Sequence, residues 1–289
     1  MLHCRLSMQE LYDLGIVHTN DVKLFYPRVR DRTDITVLRD KKTGVIFLNT
    51  IEHMDLSHYE KMKGGSYWGG KNREEALELY GEDDKRRAAQ FSAFIKGKDL
   101  IDIGCGTGGL LDQIKNVVKS VAGVELQNYA REELEKLGYT IYRLPADVPK
   151  ESFDVAGLFH VFEHFTEPLK ALKEVRTLLC TGGTILIEVP HARDVLLKLD
   201  AFKAFSLWSE HLVLHTKESL RTYLETAGFR DIRIEGFQRY SLANHIGWLV
   251  DGKPGGQERY TVSEDSSSAY EKILKETDQT DTLIAFAEK

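Results

Sequence analysis

The chain has 289 residues, of which 42% are hydrophobic and 29% charged, enough apolar material for one large core and too much for global disorder. Its formal net charge is −6, and lysine and arginine are not clustered, so the composition gives no electrostatic reason to expect a nucleic-acid partner. Cys4, Cys105 and Cys180 are odd in number and far apart, which argues against a disulfide framework, and no apolar run approaches the roughly 18 residues of a membrane span. With no leader pattern at the N-terminus, the expectation is a cytoplasmic protein that does not associate with membranes.

Residues 1–72 read as a small β-rich appendage. Within it, residues 35–50 hold two β-prone runs around a polar turn ending in Gly44, the pattern of a hairpin. In the following Gly64-Gly-Ser-Tyr-Trp-Gly-Gly70, Tyr67 and Trp68 are suited either to folding over a ligand or to anchoring the appendage. Residues 73–96 have a helical pattern that Gly81 interrupts.

From residue 99 strand and helix alternate, with strands near 99–104, 119–125, 139–143, 154–160 and 184–189 and a helix over 167–179 that opens on Thr166-Glu-Pro168. Two later strands, 231–237 and 282–287, bring the count to seven. This alternation predicts an α/β fold: a largely parallel sheet with right-handed crossovers and a ligand at the carboxyl ends of the strands. Residues 190–216 and 241–278 are too long for ordinary connections, and both are assigned to a substrate-side cap on a domain spanning 73–289. In Gln238–Trp248, which leads into the second of them, Arg239, Asn244 and His245 form a polar set, while Leu242, Ile246 and Trp248 at helical spacing read as the packing face of a lid helix.

Leu100-Ile-Asp-Ile-Gly-Cys-Gly-Thr-Gly-Gly109 is an apolar strand running into a glycine loop, and the next apolar strand ends on Glu125. Gly104, Gly106 and Gly109 satisfy the dinucleotide spacing, whereas Gly104, Gly106 and Gly108 satisfy the G-x-G-x-G of S-adenosylmethionine enzymes. Asp102 separates the two on charge. A carboxylate at that strand end repels a pyrophosphate and favours a sulfonium and an ammonium group. Glu125 suits the ribose of either cofactor.

Together with Phe153-Asp-Val-Ala-Gly-Leu-Phe-His-Val-Phe-Glu-His164 and Thr181-Gly-Gly-Thr-Ile-Leu-Ile-Glu-Val-Pro190, the glycine loop makes residues 99–237 and 281–288 resemble a class I S-adenosylmethionine-dependent methyltransferase. The resemblance implies a Rossmann-like seven-stranded sheet with a reversed last strand, S-adenosyl-L-methionine as cofactor and S-adenosyl-L-homocysteine as product. It places His160 beside the cofactor with Asp102, Gly104, Gly106, Gly108 and Glu125.

Residues 36–49 are similar to the segment that precedes this domain in sugar-modifying relatives, including nucleotide-sugar C-methyltransferases, where two Cys-x-x-Cys pairs hold zinc. Here Cys4 and Ser7, then Asp40 and Thr43, stand at those places, and one thiol among four positions cannot build a tetrahedral structural site. An appendage held by packing is expected instead. The same relatives carry Tyr-x-Glu-His after the fifth strand. This chain has Trp208-Ser-Glu-His211, so the Glu210–His211 pair carries over and the tyrosine does not.

The function implied is methyl transfer to a small polar acceptor, a hydroxyl of a sugar or nucleotide-linked sugar in surface-glycan or secondary-metabolite synthesis. Transfer to nitrogen or carbon, and a cofactor-binding subunit without catalysis, are the alternatives. A hydroxyl acceptor needs a base, and a histidine oriented by a carboxylate is suited to the role near neutral pH. His211 with Glu210 is the leading pair, and His191, directly after the fifth strand, is a substrate contact. Glu163 and His164 fall at a helix start, where they serve capping as readily as catalysis. No histidine and cysteine grouping has metal-ligand spacing, so no metal is expected.

Overall fold

The computed structural model describes residues 6–54 and 72–289; Cys4, the side chain of Ser7, Tyr67 and Trp68 lie outside the described residues. The appendage begins with α1 (Leu6–Asp13), followed by β1 (Val22–Tyr26), β2 (Val37–Asp40) and β3 (Ile46–Leu48). These strands form an antiparallel meander, and the expected hairpin is its β2–β3 half. A two-residue strand from far along the chain, Val213–Leu214, adds to β3 as the fourth member.

The hairpin turn is closed by a carboxylate. Buried Asp40 accepts the backbone N–H groups of His18, Lys42 and Thr43 at 2.6, 2.8 and 2.8 Å, and the Thr43 hydroxyl donates to the Ile16 carbonyl at 2.9 Å. Two positions aligned with metal ligands thus bind residues 16–18 to the turn through hydrogen bonds.

Beyond the appendage come α2 (Arg73–Ile95), β4 (Asp99–Ile103), α3 (Gly109–Ile114), β5 (Ser120–Val124), α4 (Asn128–Lys136), β6 (Thr140–Tyr142) and β7 (Phe153–Phe159). They are followed by α5 (Pro168–Leu178), β8 (Leu179–Pro190), α6 (Asp200–Ser206), β9 (Val213–Leu214), α7 (Lys217–Thr226) and β10 (Arg230–Phe237). The chain ends with α8 (Leu242–Asp251), α9 (Glu264–Glu276) and β11 (Thr282–Glu288). Helix α2 continues through Gly81, where nothing lies within 4 Å of a would-be Cβ.

Seven strands form one sheet in the order β10-β11-β8-β7-β4-β5-β6, with β11 alone antiparallel to its neighbours. Alternation along the strands supplies two apolar faces. Leu100, Val155, Leu186 and Ile284 meet Phe91 and Ile95 of α2 and Leu110 and Ile114 of α3. Ile101, Ala156, Ile187 and Ala285 face the other way, into a core shared with Leu172 of α5, Tyr223 of α7, and Leu11, Val37 and Phe47 of the appendage. The appendage therefore packs into the core of one sheet face. Of the two long excursions, residues 190–216 supply α6 and β9, and β9 joins the appendage sheet. Residues 241–278 supply α8 and α9; Trp248 packs on Phe202 and Phe205, and the His245 ring lies 2.9 Å from the Tyr270 hydroxyl, so this segment is built by packing. No helix among the described residues is long and apolar enough to cross a membrane.

Candidate active site

Asp102 lies near the carboxyl end of the interior strand β4, and its register partners on both neighbouring strands are glycines, Gly123 and Gly157. The chain then turns through Gly104, Gly106 and Gly108, whose φ values of 74°, 53° and 71° belong to the left-handed region that glycine enters without strain. Space at the loop is tight: a Cβ on Gly104 would stand 2.4 Å from the Val161 side chain, and one on Gly108 2.5 Å from Leu134. At the end of β5, Glu125 receives the Gly106 and Gln127 N–H groups, each at 2.8 Å.

The electrostatics suit a cation. Asp102 is 4% exposed, and burial pushes its pKa up to about 8; Arg87 opposes the shift, while Asp84 and Glu125 add to it. Burial also raises Glu125, against the backbone N–H groups that it accepts. A sulfonium or ammonium group bound here would relieve this crowding of carboxyl groups. The open glycine turn, two buried carboxyl groups and the excess of acidic over basic groups around them fit S-adenosylmethionine, with Asp102, Gly104, Gly106, Gly108 and Glu125 as the residues that would hold it.

A charged layer from α2 lies across the strand ends. Arg86 and Arg87 donate to one oxygen of fully buried Glu188 on β8, at 2.7 Å and at 2.9 and 3.1 Å, and Asp83 pairs with Arg239. His160 follows β7 with a φ of 54°, which aims its ring between two carboxylates: Nδ1 is 3.3 Å from Glu163 and Nε2 3.2 Å from Glu188. Burial disfavours its protonated form, but the two carboxylates outweigh burial and its pKa is raised.

Glu163 and His164 sit in a 3-10 turn, Phe162–His164, that starts beside the glycine loop through the Val161–Gly104 approach. The His164 and His211 rings meet edge to face, with centroids 5.1 Å apart. The backbone joins the two segments, because the Leu212 N–H donates to the Glu163 carbonyl at 2.9 Å. From the other side the appendage grips the same stretch: Asp31 accepts the Ser209 N–H and hydroxyl at 3.0 and 2.5 Å, the His53 ring is 2.7 Å from the Ser209 carbonyl, and the Arg30 guanidinium lies 4.0 Å from the Trp208 ring.

Two expected residues take different parts. His191 is buried beneath β11, with Nδ1 3.0 Å from the Thr280 carbonyl, and burial lowers its pKa to about 4; packing claims the ring that was expected at the substrate edge. Glu163, from the β7 side, acts on the His211 ring together with the expected partner Glu210. Burial lowers the pKa of His211, and Glu163 opposes it. Sequence reading missed Arg86, Arg87 and Glu188, whose pairing spans about a third of the chain, and undervalued Glu163 and His164, for which an adjacent Glu-His pair after an apolar strand was the one available signal.

A seven-stranded sheet with one reversed strand, and a glycine loop at the end of β4, is the fold of the class I S-adenosylmethionine-dependent methyltransferases. A family model described as a methyltransferase domain matches residues 70–234, more than half of the chain, and the chain belongs to that family. It is similar to the ubiquinone biosynthesis O-methyltransferase of Actinobacillus pleuropneumoniae, at 24% identity over 48% of this chain and 64% of that protein. It is also similar to the tRNA U34 carboxymethyltransferase of Hydrogenovibrio crunogenus, at 25% identity over 54% of this chain and 52% of that one. The chain spans about half the length of the curated relatives it matches. A solved S-adenosylmethionine-dependent methyltransferase from Archaeoglobus fulgidus shares the fold, with a TM-score of 0.52 at 21% identity over 74% of this chain and 97% of that one.

Proposed function

We propose that the protein methylates a hydroxyl group of a small polar acceptor held at Glu163, His164 and His211. The observation that carries this reading is the contact of Val161 with Gly104, which sets the turn bearing Glu163 and His164 directly beside the cofactor loop. S-adenosylmethionine, when bound, supplies a methyl group activated by its sulfonium. The residues orient the acceptor and take its proton. In that transfer His211 would take the hydroxyl proton of the acceptor. Burial keeps that ring neutral beforehand, and Glu163 stabilises it once charged.

An O-methyltransferase among the named relatives supports oxygen as the acceptor atom. The sugar that the N-terminal resemblance implies is one hydroxyl acceptor of this kind, and hydroxylated ubiquinone precursors are another. A polynucleotide acceptor is disfavoured by the net charge of −6.

The test is mass-spectrometric detection of an O-methylated product from a panel of nucleotide sugars, free sugars and hydroxylated quinone precursors. His211→Ala is expected to lower turnover by about two to four powers of ten while S-adenosylhomocysteine affinity stays unchanged. Undiminished turnover in that variant, or a product methylated on nitrogen or carbon, overturns the reading.

A further inference from the structure

One carboxylate oxygen of Glu163 and one ring nitrogen each from His164 and His211 lie within 4.8 Å of one another. Glu163 is 1% exposed; its Oε1 stands 3.3 Å from His160 and 3.9 Å from His164, while Oε2 is buried with no hydrogen-bond partner among the described residues. Leaving a buried carboxylate oxygen unmatched is costly, and native folds tolerate it mainly where something else completes the site. Two adjacent residues of a tight turn and one from a separate segment, tied together by the Leu212–Glu163 backbone hydrogen bond, form a convergent set. His160 holds the carboxylate from behind, as a supporting residue does for a metal ligand.

The geometry points to a divalent-cation site formed by Glu163, His164 and His211, in which the cation would bind the acceptor oxygen. Two imidazoles and a carboxylate match zinc, cobalt, manganese or iron(II), and three protein ligands leave coordination positions open for a substrate. The inference rests on the hydroxyl-acceptor reading and changes one part of it. Such a cation would acidify a bound hydroxyl, whose proton would pass to water, and His211 would serve as a ligand. The methyl group then moves from sulfur to that oxygen, with the S–CH3 electron pair remaining on sulfur.

The experiment uses the full-length protein after treatment with a chelator, titrated with Co2+ and followed by its visible absorption. Zn2+ displacement and S-adenosylhomocysteine binding are measured in parallel. One equivalent of Co2+ is expected to bind. Glu163→Gln and His211→Asn are each expected to weaken it by at least about tenfold, while retained S-adenosylhomocysteine binding reports that the variants are folded. No binding up to millimolar Co2+, or equal binding by wild type and both variants, overturns the inference. Methylation of a hydroxyl without any cation leaves the proposed function standing and removes the cation site. Cation binding with no methylated hydroxyl in the panel does the reverse.

Discussion

Glu125 reaches Gly106: its Oε2 accepts that N–H at 2.8 Å while Oε1 accepts Gln127 at 2.8 Å, so one side chain fixes the glycine loop to the start of α4. Glu125→Ala leaves both N–H groups without this acceptor and removes a carboxylate from the cofactor site. The expected loss is about 1–3 kcal/mol, or roughly 5- to 150-fold in S-adenosylhomocysteine affinity by calorimetry. Glu125→Gln should fall between the two, since its NH2 group would confront one of those N–H donors. Wild-type affinity in both variants would exclude Glu125 from the site.

Asp102 makes cofactor binding depend on pH. In the free protein its pKa stands near about 8, above the usual carboxylate range, so the group is protonated at neutral pH. A cationic ligand favours the carboxylate and pulls that value down, which requires proton release on binding. S-adenosylmethionine affinity should therefore rise with pH and level off above about 8, by at most about tenfold per pH unit. Calorimetry in buffers of different ionisation enthalpy measures the released proton directly. Asp102→Asn should flatten the profile; a wild-type profile in that variant would assign the proton elsewhere.

Glu188 tests the layer that joins α2 to the sheet. Glu188→Gln takes the shared buried carboxylate from Arg86 and Arg87 together and leaves them the longer 3.4 Å ion pairs with Asp83 and Asp84. The expected cost is about 3–5 kcal/mol, lowering Tm by on the order of 10 °C. A melting curve that overlays the wild type would show that water reaches these arginines despite their burial.

Asp194 should limit stability at high pH. Burial and neighbouring Asp281 push its pKa up to about 8, well above the value in an unfolded chain. Between those two values the folded state binds the extra proton, so this group's contribution to stability declines as pH rises across the window from about 4 to about 8. Asp194→Asn keeps an acceptor for the Leu196 N–H, which the carboxylate now receives at 2.8 Å, and does not titrate. Its Tm should match wild type near pH 4 and exceed it by a few degrees above about pH 8. Equal melting temperatures throughout would mean that Asp194 titrates normally.

What the sequence disclosed follows from distance along the chain. The seven strands were readable because alternating apolar residues and turn glycines are local signals, and Asp102 because a strand-end carboxylate before a glycine loop has few other uses. Gly81 was read as an interruption, yet α2 runs through it because Phe91, Ile95 and the Arg87–Glu188 pair fix the helix from the tertiary side. The two-residue strand β9 carries no signal of its own; it exists because β3 offers an edge. Proximity to a strand end did not reveal which way the His191 ring turns, and the Thr280 carbonyl decides that. His211 was singled out by resemblance, whereas Glu163, which also acts on that ring, lies on another element and gave no such signal.

The grip of Asp31 and His53 on Ser209 divides responsibility for the enzyme's chemistry. In the proposed reading the cofactor is held by β4 and β5, whereas the stretch that bears His211 is held by loops of the appendage. Sequence drift in those loops can retune which molecules are accepted without touching the machinery that carries the methyl group. If the proposed acceptor site is right, library mutagenesis aimed at new acceptors belongs at residues 30–53 as much as at Glu163, His164 and His211.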